Sequence, residues 1–195
     1  MPSPRLPAAR PDASRQRSGT GRTASRDGDW HTVSRSPADT DRIGRLIGRA
    51  LEGGEVVGLY GALGTGKTAL VRGIAAGLGA PPRAVSSPTF VLVHVYAGRL
   101  PLAHADLFRI QSETELRHVG LLDYSDTRTA TAIEWAERAG AELPDDRLEI
   151  HLDHRGRQSR AMTLKAKGAR SRRLLARVLS LQAAEQTKTA RKRAR

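Results

Sequence analysis

The stretch from Val56 to Val71, VVGLYGALGTGKTALV, is compatible with few folds. An apolar run of strand length enters a glycine-rich turn, and a helix-forming run leaves it. Its centre, Gly61-Ala-Leu-Gly-Thr-Gly-Lys-Thr68, fits the phosphate-binding pattern G-x-x-x-x-G-K-[ST]. Gly61, Gly64 and Gly66 allow backbone angles and close approaches that a Cβ would block. The N–H groups of the loop, through Ala62, Leu63 and Thr65 as well as the glycines, then converge on phosphate at a helix N-terminus. Lys67 is expected to reach the β- and γ-phosphates and the Thr68 hydroxyl to ligate Mg²⁺. Kinases, GTPases and assembly factors share such a loop, so it predicts a bound nucleoside triphosphate and leaves the use of that nucleotide open.

The surrounding pattern supplies the rest of an α/β domain. ADTDRIGRLIGRAL spaces Ile43, Leu46, Ile47, Ala50 and Leu51 as one helix face, with Asp39 or Thr40 as the expected N-cap. Phe90–Tyr96 and Leu100–Asp106 read as a hairpin, ETELRHVGLLDY as helix then turn, and TATAIEW as a strand ending in a carboxylate. RLEIHLDH and QSRAMTLKA read as a closing hairpin, so the arginines of HRGRQSR fall in its turn rather than in a lid. Strands alternating with helices, plus two hairpins, predict a P-loop NTPase-like three-layer α/β fold, with helices flanking a mixed parallel and antiparallel sheet.

Charge divides the chain. The net charge is +13 over 195 residues. Residues 1–29 contribute +3, residues 30–166 only +1, and residues 167–195 contribute +9. The expected organisation is a disordered basic extension over 1–29, a P-loop ATPase domain over 30–168, and a basic segment over 169–195. That last segment starts as an amphipathic helix at Leu174, Leu175, Val178 and Leu179 and decays into a tail, TKTARKRAR. There is no cysteine, which excludes disulfides and thiolate metal sites. No apolar run approaches the ~20 residues of a membrane span, so the expected location is cytoplasmic. The Arg- and Ser-rich leader also has the composition of an organelle transit peptide.

Mg²⁺ needs oxygen ligands beyond one hydroxyl, normally a carboxylate at a strand end. Asp106 and Glu134 both fit, although each could equally pair with an arginine such as Arg109 or Arg138. The loop Ser86-Ser87-Pro88-Thr89 could approach the γ-phosphate or be a plain proline turn. Trp135 is a core or rim residue by position. His94 and His104 read as ordinary strand residues, with His104 on the face of Asp106. The chain has no asparagine, so no NKxD guanine-reading motif exists, and no HRD or DFG set of a protein kinase occurs. ATP is therefore the expected nucleotide.

Taken in order, the motifs resemble the TsaE (YjeE) family of small bacterial ATPases. They are the phosphate loop after GEVVGLYG, SPTF at Ser87–Phe90, Tyr96, HADLFRI at His104–Ile110, EL-x-x-x-G at Glu115–Gly120, Tyr124, AIEWAER at Ala132–Arg138 and LPDDRLEI at Leu143–Ile150. The resemblance spans about residues 31–168. It implies an ATPase, weak alone and partner-stimulated, that acts on the TsaB–TsaD complex in making threonylcarbamoyladenosine beside the anticodon of tRNAs reading ANN codons. It implies no transfer of the threonylcarbamoyl group by this chain. It assigns Lys67 to the phosphates, Thr68 and Glu134 to Mg²⁺, Asp106 to Mg²⁺ or its water, and Thr89 to the γ-phosphate. It puts Trp135 near the nucleotide or a partner, and Asp39 to Asp41 by the adenine. Transfer RNA is then an indirect partner; the basic tails, which the resemblance does not cover, either contact its phosphates or are solvated segments that aid solubility. Two departures stand out: Ala62 occupies a position where the family usually has an acid, and both tails are extra. The alternatives from residues alone are a small-molecule kinase and a basic nucleic-acid binder with a regulatory ATP site.

Overall fold

The computed structural model describes residues 28–81, 85–86, 88, 92–124 and 126–193. The expected extension over 1–29 therefore lies outside the described residues, apart from Gly28 and Asp29. Eleven helices and strands run in the order β1 (Trp30–Ser34), α1 (Pro37–Ala50), β2 (Val56–Tyr60), α2 (Lys67–Gly77), β3 (Val93–Tyr96), β4 (Leu102–Asp106), α3 (Glu113–Val119), β5 (Ala130–Glu134), β6 (Leu148–His154), β7 (Arg160–Ala166) and α4 (Ala169–Arg193). Short 3₁₀ turns over Leu121–Tyr124 and Ala136–Glu142 complete the connections.

The seven strands form one sheet in the order β1-β7-β6-β2-β5-β4-β3. Its centre is parallel, with β2 between β6 and β5 and β4 beyond β5. Antiparallel pairs close both sides: β3 on β4, and β7 between β6 and β1. One face carries α1, α2 and α4 over a core that includes Ile43, Leu46, Leu59, Leu70, Ile74, Leu148, Leu164 and Leu174. The other carries α3 and the 136–142 turns over Ile133, Leu107, Leu116 and Ala139. This is the mixed three-layer α/β architecture expected from the pattern. Strands β2, β4 and β5 run parallel, so their carboxyl ends open on one edge, where α/β sheets bind ligands.

Three local features differ from the sequence expectation. Strand β1 is not signalled by any long apolar run. WHTVS is an edge strand whose Trp30, Thr32 and Ser34 are buried while His31 is exposed. The N-cap of α1 is Ser36, not Asp39 or Thr40: its hydroxyl accepts from Asp39 N at 3.1 Å, and Pro37 follows in the first turn. Asp39 acts one turn in, accepting Arg35 N at 3.1 Å and binding Arg42 at 2.9 Å. Finally, TKTARKR, the described part of the expected tail, is helical. Helix α4 continues to Arg193, because its last turns hold Ala, Gln, Lys and Arg, which are strong helix formers, and no Gly or Pro.

Helices α1 and α2 touch backbone to backbone. Gly44 and Gly48 on α1 face Gly73 and Gly77 on α2, and an ideal Cβ on Gly48 would lie 2.1 Å from Ile74 O. Helix α4 is bound to the same layer by Leu174, Leu175 and Val178, by Arg177 to Glu55 at 2.5 Å, and by Asp146, whose carboxylate accepts Arg170 N and Ser171 N at 2.7 and 2.9 Å. Among the described residues no helix is long and apolar enough to cross a membrane.

Candidate functional site

The phosphate loop leaves β2 and enters α2 as its sequence requires. Gly61 has φ +138°, and a Cβ there would stand 2.3 Å from Leu152 O, so the loop can lie against β6 only as glycine. Gly66, at φ +99°, precedes Lys67 in left-handed backbone, and no side chain caps α2. The first N–H groups of α2 are therefore left for a ligand at the positive end of the helix. Ala62 O accepts both Thr65 N at 3.3 Å and Thr65 Oγ1 at 2.9 Å. The Thr65 side chain thus fixes the loop from within, while Ala62 and Leu63 are exposed at its tip.

Lys67 is buried. Its ammonium donates to Gly61 O at 2.5 Å and Ala62 O at 3.1 Å, and it lies 3.6 Å from the centroid of the Trp135 ring. Burial holds this amine below the ordinary lysine range, against the opposing pull of Glu134, Glu137 and Asp106. Trp135 adopts φ +58°, a left-handed conformation that a bulky residue enters only under constraint. That conformation turns the chain sharply after β5 and sets the indole against Phe108, ring centroids 5.1 Å apart.

The two carboxylates meet the loop through sheet register. Asp106 and Glu134 are Cα partners at the ends of β4 and β5. Thr68 Oγ1 donates to Glu134 Oε2 at 2.9 Å. The other oxygen, Oε1, lies 2.9 Å from His104 Nε2. His104 is fully buried, and its Nδ1 has no hydrogen-bond partner among the described residues. Asp106 accepts Phe108 N at 3.0 Å, which shapes the turn after β4. Arg138, a potential partner for Glu134, instead spans the carbonyls of Leu107, Phe108 and Ile110. Lys67, Thr68, Asp106, Glu134 and Trp135 line one cleft of about 390 Å³, together with Gly64 and Gly66.

Thr89 lies outside the described residues. Asp39, Thr40 and Asp41 do not line this cleft: Asp39 and Asp41 pair with Arg42 and Arg45, and Thr40 is buried 2.7 Å from Ser34 Oγ. Two residues join the site that sequence reasoning set aside. His104 had one usable signal, its shared strand face with Asp106. Arg160, from the closing hairpin, donates to Thr65 O at 2.8 Å and to Gly64 O at 3.2 Å, bracing the loop from outside.

The oxygen set of Thr68, Glu134 and Asp106 suits a hard cation. Among the described residues no cluster of three or more His, Cys, Asp or Glu forms a complete metal cage. Such a partial set fits Mg²⁺, which takes one or two carboxylates and completes its shell with water and phosphate.

Comparison with known proteins gives a consistent result. The family model described as "Threonylcarbamoyl adenosine biosynthesis protein TsaE" matches residues 34–162. The tRNA threonylcarbamoyladenosine biosynthesis protein TsaE of Treponema pallidum is 45% identical over 120 residues, covering 62% of this chain and 88% of that protein. Its namesake in Bacillus subtilis is 38% identical over 142 residues, covering 72% and 87%. The crystal structure of Bacillus subtilis YdiB superposes with a TM-score of 0.67 at 29% identity, covering 79% of this chain and 96% of that one.

Proposed function

The chain belongs to the TsaE family of threonylcarbamoyl adenosine biosynthesis, and from that premise we propose that it is the ATP-binding, ATP-hydrolysing accessory subunit acting on a TsaB–TsaD complex. The observation that carries the ATP site is the 2.9 Å contact between Thr68 on the phosphate loop and Glu134 at the end of β5. It joins a phosphate-loop hydroxyl to a strand-end carboxylate, the pairing that nucleotide–metal chemistry uses.

In this reading the loop amides and the uncapped start of α2 bind the phosphates. Lys67 exchanges the carbonyls of Gly61 and Ala62 for phosphate oxygens, and its partial desolvation strengthens that attraction. Trp135 holds the ammonium over the cleft until then. Mg²⁺ would be held by Thr68 and Glu134 with Asp106 beside them, and would neutralise charge on the phosphates. His104 fixes the carboxylate of Glu134, and Arg160 keeps the loop carbonyls turned outward. Ala62 lacks the acid found at this position in the family, but the loop uses its backbone carbonyl. The phosphate cradle is therefore retained.

The test is ATP turnover by the full chain, alone and with TsaB and TsaD, together with co-purification of the three. Slow turnover that rises with both partners is expected. Lys67→Ala should lower it at least tenfold, since it removes a charge contact that strengthens in the transition state. Neither association nor stimulation, with or without ATP, would overturn the accessory role.

A further inference from the structure

We propose that the outer stripe of α4 binds the phosphate backbone of a folded RNA, with Lys188, Arg191 and Lys192 at its tip as the contact. The choice of RNA rests on the tRNA-modification reading above; the surface itself does not. At 100° per residue, Arg170, Arg173, Arg177, Lys188, Arg191 and Lys192 fall within an arc of about 100°, along roughly 33 Å of helix. The packing face of α4, with Leu174, Val178 and Gln182 buried, lies to one side of this stripe.

The stripe is used differently along its length. Near its start the arginines serve the fold: Arg170 donates to Gly54 O at 2.6 Å, and Arg177 binds Ala50 O, Glu52 and Glu55. The one acid of α4, Glu185, is taken by Arg42 and Arg49 of α1. Beyond it Lys188, Arg191 and Lys192 are exposed, and their side chains make no hydrogen bond or ion pair to a described residue. Like charges at i,i+3 and i,i+4 cost a helix about 0.2–0.5 kcal/mol per pair, a cost that a polyanion would reverse.

The chemistry around the tip selects among polyanions. Residues 183–193, AAEQTKTARKR, contain no large apolar side chain. An interfacial membrane helix needs an apolar face opposite its cations, and protein interfaces centre on a well-packed, desolvated cluster, which these exposed cations do not form. A phosphate backbone needs neither, since binding follows from counterion release. Helix α4 lies beyond the family-model match, which ends at residue 162.

The experiment is fluorescence anisotropy with unfractionated transfer RNA, using the full chain and its Lys188→Gln/Arg191→Gln/Lys192→Gln variant from 50 to 300 mM KCl. Each phosphate contact contributes about 0.7–0.9 to the slope of log K against log salt. The variant should bind at least tenfold more weakly at the lowest salt, and its slope should be smaller by about two to three. Equal affinity and slope in the two proteins would overturn the inference. So would binding to phosphatidylglycerol vesicles that the substitutions abolish while RNA binding stays. ATP affinity and melting temperature, measured on the same samples, should be unchanged; a fall in both would assign the three cations to the fold instead. A chain that binds RNA in this way but no ATP would refute the proposed function and leave the RNA surface standing.

Discussion

Replacing Gly48 with Ala sets two effects of opposite sign against each other. Alanine is the better helix former by about 1 kcal/mol, so the substitution should stabilise α1 taken alone. Packing decides otherwise. The added Cβ would lie 2.1 Å from Ile74 O, where ordinary contact begins at 3.4 Å. Relief requires about 1.3 Å of separation between the backbones of α1 and α2, because a main-chain carbonyl in a helix cannot rotate away. A gap of 0.5–1 Å already forfeits a quarter to a half of each dispersion contact, and overpacked cores lose roughly 1–3 kcal/mol or more. The expected balance is a net loss of about 2 kcal/mol, which lowers the melting temperature by roughly 4–8 °C for a domain of this size. Gly44, Gly73 and Gly77 would place a Cβ 2.5 Å from the nearest carbonyl oxygen, so each should cost less than Gly48. Helix α2 begins at Lys67, so a displaced α2 moves the phosphate loop. ATP affinity, read by titration calorimetry, should fall together with the melting temperature from calorimetric scans. A Gly48→Ala protein at least as stable as wild type would refute the argument, since it would mean that helix propensity wins and the two helices part freely.

Two further outcomes follow from the site and from α4. His104→Ala removes the donor to Glu134, a charged-acceptor hydrogen bond of about 1.5–3 kcal/mol; the Mg²⁺ concentration for half-maximal nucleotide binding should rise about tenfold or more, His104→Gln should recover part of the loss, and an unchanged Mg²⁺ midpoint in His104→Ala would remove the positioning role. Asp146→Ala deprives Arg170 N and Ser171 N of their acceptor and should cost about 1 kcal/mol at pH 7, as lost helix caps do. Burial pushes the Asp146 carboxyl up, but those N–H donors outweigh it and hold the carboxyl below its ordinary value of 3.8. The stabilisation is therefore present above that value and lost as pH falls through the folded one. Melts of the two proteins should differ at pH 7, and the gap should narrow only as pH falls below 3.8; a gap that does not narrow in acid would refute the capping account.

What could be read directly from the chain was local. The phosphate loop declares itself because its glycines, Lys67 and Thr68 are contiguous, and its flanking strand and helix are short-range patterns. Asp106 and Glu134 could be named as strand-end carboxylates, yet neither could be assigned a contact, because that depends on strand order. Only the placement of β5 beside β2, with β4 next to it in register, brings Glu134 to Thr68 across 66 residues. The same non-local step explains the residues that were passed over. His104 looks like any strand histidine until β5 sets Glu134 against its Nε2, and Arg160 is a turn arginine until β7 folds it onto Gly64 and Thr65. The glycine pairs show the limit most plainly. The spacing of Gly44 to Gly48 and of Gly73 to Gly77 is visible in the sequence, but in a lone helix it reads only as four weak positions. Their meaning, a backbone-to-backbone seam that sets where α2 and hence the phosphate loop must lie, exists only once the two helices are brought together.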